Sequence, residues 1–260
     1  MLGIAAPGAM ILLSGCQGIL GGIYDEAEMP DAATVEGRLY IDASDWEAWH
    51  YIDLAALADS TAANPQFNTS SLWTTIPVPT DYEGTESVNV MPAPGSAGIY
   101  TYWFDVFGHG VSVSEFREFT PARAQPEPER WTIAVHRNNF RTNGCLVAET
   151  DYGSIGELPT GGDWLDNLQY ESDEWTDNEV WTVQDRMLLG LIGCQGISVN
   201  RVLSRCLQMV IPPMPPLFVL DSHVFNIRLP DATYAAFQLA DYMDASGTKC
   251  RFRINYKYPV

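Results

Sequence analysis

Basic charge is scarce in this chain: 14 Lys and Arg stand against 33 Asp and Glu, a net charge of −19 over 260 residues. With no basic run anywhere, binding to nucleic acid or to an anionic membrane face is excluded as a role. Catalytic signatures are missing too. There is no GxSxG elbow, no HExxH, no GxxxxGK[ST] phosphate loop and no glycine fingerprint of a dinucleotide fold. The four histidines (His50, His109, His136, His223) are scattered, with no two at metal-ligand spacing. They read as satisfied strand or loop residues. Nothing argues for an enzyme. No segment carries a sustained, capped 3.6-residue apolar stripe, so helices are not expected as major elements.

Apolar residues and turn formers are plentiful. Hydrophobic residues make up 46% and aromatics 12%, which excludes a disordered chain. The 21 glycines and 17 prolines suit a loop-rich β protein better than a helical bundle. Short β-prone runs recur between Gly, Asn, Pro and Asp turns: 38–42, 49–54, 99–107, 131–137, 180–191, 202–211, 217–220, 224–229, 234–239 and 250–258. The Pro-rich stretch 59–98 reads as an irregular excursion, and the acid-rich stretch 163–179, with seven carboxylates and no base, as a solvated loop. The expected fold is all-β, a single mostly antiparallel domain over 37–260 with long irregular loops.

No charge precedes Asp25, and Leu13-Ser14-Gly15-Cys16 follows an apolar stretch too short to span a bilayer. Small residues before a cysteine at the end of an apolar segment resemble a lipobox. Residues 1–15 are then a lipoprotein signal peptide, Cys16 the lipidated residue, and 16–36 an anchor and tether. Of five cysteines, Cys145, Cys194, Cys206 and Cys250 remain for the folded part. Disulfides are permitted in an exported protein, and buried free thiols are the other reading.

Three stretches are similar to the HmuY-like family of haem-binding surface lipoproteins. They are the opening strand-turn-strand 40–51, the Trp131–Arg137 run with the Asn143-Gly144 turn after it, and the C-terminal pieces 222–228, 235–242 and 256–260. The resemblance covers roughly 37–260. It implies an all-β fold that holds haem b between two protruding hairpins, through paired His or paired Met ligands. It further implies an outer-membrane, surface-exposed location and delivery of haem to a TonB-dependent receptor.

Carried over, the two hairpins are 180–200 and 202–220. Neither contains histidine; together they contain Met187, Met209 and Met214. The resemblance therefore points to thioether ligation by Met187 and Met214, with Met209 in reserve, and to Arg186, Arg201 and Arg205 as partners of the propionates. Strand alternation along 180–191 places Trp181, Val183, Met187, Leu189 and Leu191 on one apolar face. The family usually has an aromatic where Cys206 stands and a glycine where Cys250 stands. Two other readings of the residues are a module of this fold for a different ligand, and a structural or adhesive surface protein.

Overall fold

The computed structural model describes residues 34–64, 73–79, 100–105, 124–160, 163–183, 191–211 and 216–260. Met187, Met214, Arg186 and Cys16 lie outside the described residues.

The chain forms antiparallel sheets. The largest runs in the order β1 (Val35–Asp42), β14 (Lys249–Tyr258), β13 (Tyr234–Met243), β12 (Phe225–Arg228), β7 (Leu146–Glu149). β14 alternates as far as Tyr256, burying Cys250, Phe252, Ile254 and Tyr256 and turning Arg251 out. Gly37 faces Tyr256 across the ladder, and a Cβ at Gly37 would run into the tyrosine ring. That ring's hydroxyl meets Thr61 Oγ1 at 2.7 Å.

A second sheet has the order β3 (Trp73–Pro77), β2 (Ala48–Ile52), β5 (Ile133–His136), β6 (Asn139–Thr142). Every residue of β2 and β5 is buried because this sheet is covered on both faces. Ile52, Ile133 and Val135 join Leu39, Phe237 and Phe252 of the large sheet in the main core. Trp49, Tyr51 and Ala134 point the other way, into a second cluster with Val180, Ile197 and Val199. Those last residues belong to a third sheet, in the order β4 (Tyr100–Asp105), β9 (Leu191–Val199), β8 (Glu174–Val183). A two-stranded hairpin, β10 (Leu207–Val210) with β11 (Leu217–Leu220), completes the set.

The all-β expectation holds, with departures in detail. The run 49–54 is not one strand: β2 ends at Ile52 and a ten-residue helix, α1 (Leu54–Ala63), begins. Asp53 caps it by accepting from Ala56 N at 3.0 Å. Only Leu54, Leu57 and Ala58 are buried, too short an apolar stripe to announce a helix in the sequence. The stretch 59–98 is not wholly irregular, since it holds the end of α1 and all of β3. Of the run 180–191, residues 180–183 lie in β8 and Leu191 opens β9, while the alternation through Met187 falls outside the described residues. The segment 202–220 is not a plain hairpin, because a short helix, α2 (Arg201–Ser204), precedes β10.

The stretch 163–179 also differs from a solvated loop. Asp173 accepts from Thr142 N and Oγ1, both at 2.8 Å, and from Asn200 Nδ2 at 3.1 Å. Burial raises its carboxyl pKa despite these donors. Asn200 in turn caps α2 by accepting from Leu203 N at 2.8 Å. One polar knot thus fixes the start of α2 to the turn that leads into β8. All four described cysteines are buried, and none forms a disulfide.

Candidate functional site

β8 and β9 do not pair in simple register. Between Thr176↔Ile197 and Val180↔Gln195, β8 advances four residues while β9 advances two. A second irregularity lies between Trp181 and Val183. Such bulges re-aim side chains, and here three consecutive residues, Val180, Trp181 and Thr182, are all buried. Trp181 stacks on Trp46, with ring centres 6.3 Å apart and planes 8° from parallel. The Arg137 guanidinium lies 3.9 Å from the centre of the Trp46 ring. Met209 and Ile211 of the β10 segment pack on this tryptophan pair, over buried Cys194.

Above that wall opens a cavity of about 410 Å³, bounded by Trp181, Val199, Leu207 and Met209 on its apolar side. Its polar rim includes Asn138, Asn139, Glu179, Arg201 and Arg205. Three of the residues singled out in the sequence, Met209, Arg201 and Arg205, therefore meet at one place. No histidine lines the cavity among the described residues. The soft donor in its lining is the half-buried Met209 thioether.

The rim arginines are held by acids. Arg201 donates from Nε to Glu174 Oε2 at 2.8 Å and from Nη1 to Glu179 Oε1 at 2.6 Å. The Glu179 hydrogen bond, foremost, keeps the guanidinium pKa above its usual value. Arg205 Nη1 lies 3.2 Å from Glu149 Oε2. All these groups are partly exposed, and ion pairs in that setting contribute only about 0–1 kcal/mol. Exchanging a protein carboxylate for that of a ligand is therefore cheap.

The described histidines sit elsewhere. His136 is fully buried and donates from Nε2 to Trp46 O at 2.8 Å; burial pushes its pKa down to about 4. His50 is buried against Thr75 Oγ1 at 3.0 Å, and burial lowers its pKa also. His223 is exposed and paired with Asp221 at 2.7 Å. The Trp46–Arg137 backing and the Glu174, Glu179 and Glu149 partners of the arginines carry no motif in the sequence. They are brought together by the fold alone.

A family model described as HmuY protein matches residues 45–256. The chain belongs to the HmuY family. A candidate HmuY-like haem-binding protein of Bacteroides vulgatus is 27% identical over 86% of this chain and 92% of its own, with a TM-score of 0.56. A candidate lipoprotein of Bacteroides fragilis is 24% identical over 88% of this chain and 92% of its own, at 0.59. The apo HmuY analog of Tannerella forsythia shares the fold at 19% identity and 0.58, over 88% of this chain and 98% of its own. Among curated proteins none matches. In this chain the cavity is lined by residues of the β8–β9 pair and of the α2–β10 segment.

Proposed function

We propose that this HmuY-family chain is a lipid-anchored surface protein of the outer membrane that binds haem, without catalysing a reaction, and passes it to a TonB-dependent receptor. The observation that carries the reading is the cavity itself, in which a tryptophan-backed apolar wall, a thioether and two guanidiniums converge. Haem, as cargo, asks for those three things: an apolar face for the porphyrin, donors to iron, and cations for the propionates. The residues present fit it. Trp181, Val199, Leu207 and Met209 would exclude water from the ring, and Arg201 and Arg205 would turn from Glu179 and Glu149 to the propionates. The two axial thioethers would come from Met187 and Met214, with Met209 in reserve. The first two are assigned from the family resemblance and the third stands in the cavity lining. Arg186 is the third candidate propionate partner. In a chain of net charge −19, these few cations are what allows a dianion to approach.

Adding haemin to the purified protein should give a Soret band that shifts and saturates at one equivalent, with quenching of tryptophan fluorescence. A spectrum identical to free haemin would sink the haem reading and leave a HmuY fold used for another ligand or for adhesion. For the anchor, Cys16→Ser should move the protein from the membrane to the soluble fraction. Unchanged fractionation, with no lipid mass on the N-terminal peptide, would contradict lipidation at Cys16.

A further inference from the structure

We propose that Glu149, Asp221 and His223 form, in the haem-free chain, a binding site for one divalent transition-metal ion at the root of the β10–β11 hairpin, sharing only Arg205 with the proposed haem site. The three ligand atoms, one carboxylate oxygen from each acid and an imidazole nitrogen, all lie within 4.8 Å of one another. His223 Nδ1 is 2.7 Å from Asp221 Oδ1 and 3.8 Å from Glu149 Oε1. Ligands about 2.0–2.1 Å from a zinc-like ion and set tetrahedrally around it are roughly 3.3 Å apart. The two spacings straddle that value, so small side-chain shifts would close the triad on an ion.

The surroundings hold the triad in place. Glu149 ends β7, opposite Phe225 of β12. Asp221 N donates to Cys206 O at 3.0 Å, which ties the residue after β11 back to the residue before β10. Val224 N donates to Tyr152 O at 2.9 Å, fixing the chain just beyond His223. Arg205 takes Glu149 Oε2 at 3.2 Å and leaves Oε1 facing the imidazole. An outer partner of this kind orients a ligating carboxylate. The side chains of Glu149 and Asp221 are 30% and 26% exposed and that of His223 is 49% exposed, open enough for an ion to enter and retain water.

The imidazole sets this triad apart from the chain's many plain acids. Asp221 Oδ1 accepts from His223 N at 2.9 Å, as Asp231 accepts from Thr233 and Asp244 from Ser246 and Thr248, but only Asp221 has an imidazole and a second carboxylate beside it. Two carboxylates and one imidazole also select the class of ion: nitrogen donors favour zinc, copper, nickel or cobalt over calcium and magnesium. Bound there, the ion would clamp the end of β7 to the connection between β11 and β12.

The test is a titration of the full chain, stripped with chelator and free of haem, with Co²⁺. Ligand-field absorption in the visible should appear and saturate at one equivalent, without a thiolate charge-transfer band, and Zn²⁺ should displace it. His223→Ala and Asp221→Asn should each weaken Co²⁺ binding by about tenfold or more. Thermal melts of both apo variants matching wild type would show that they remain folded. Should either variant fail to fold, Glu149→Gln takes its place in the comparison. A saturable Co²⁺ spectrum that survives unchanged in the folded variants, or no saturable spectrum at all, overturns the site. Because haem is absent throughout, neither result bears on the haem reading.

Discussion

Deleting residues 250–260 should abolish the folded state, not merely weaken it. The deletion removes most of β14, which lies between β1 and β13 and is hydrogen-bonded to both. Phe252, Ile254 and Tyr256 go with it, each almost fully buried. Burying a side chain of that size contributes roughly 1.5–3 kcal/mol, so the three sum to about 5–9 kcal/mol. A whole domain is stable by only about 5–15 kcal/mol. The deletion also strips the ladder from β1 and opens an edge on β13. Circular dichroism of the truncated chain should show no cooperative melt. A melt like that of the full chain would show the last strand to be dispensable.

Acid should destabilise the protein in a window above the usual carboxylate range. His136 is wholly buried; its Nδ1 has no hydrogen-bond partner, and the Arg137 cation is its sequence neighbour. Burial depresses its pKa in the folded state from 6.5 to about 4. As pH falls below 6.5 the unfolded chain takes a proton that the folded chain refuses, so stability drops until about pH 4, where this contribution levels off. A shift of that size corresponds to about 3 kcal/mol, or roughly 6–12 °C in Tm for a domain of this length. His50, also depressed by burial, acts in the same direction. Asp173, whose carboxyl is raised by burial, acts in the opposite one. The decisive comparison is therefore with His136→Gln, whose Tm should vary less between pH 7 and pH 4.5 than that of wild type. Equal slopes would contradict the assignment to His136.

Much of the fold was legible because the strands of the large sheet are locally consistent. β14 alternates, and β12 and β13 are apolar runs bounded by Asp and Gly turns. What could not be read was set by tertiary context. The seam between β2 and α1 turns on one capping residue, Asp53, in a run that is apolar on both sides. Asp173 looks like one more acid in an acidic stretch until Thr142 and Asn200, distant in sequence, close on it. The site was legible as residue types and not as geometry. Met209, Arg201 and Arg205 do line one cavity. The bulges in β8 that turn Trp181 onto Trp46, and the glutamates that occupy the arginines, leave no periodic trace.

The central claim, a haem held by thioethers in the cavity beside Trp181, is tested most directly by titrating the full chain with ferric and with ferrous haem. The two titrations are repeated for Met187→Ala, Met209→Ala, Met214→Ala and His223→Ala. Soft, neutral thioethers favour ferrous iron and raise the haem potential. Wild type should therefore bind the reduced form more tightly. Loss of a ligating methionine should leave a five-coordinate or water-ligated spectrum, while His223→Ala should match wild type. A low-spin bis-histidine spectrum, or binding lost in His223→Ala and untouched in all three methionine variants, would contradict the account.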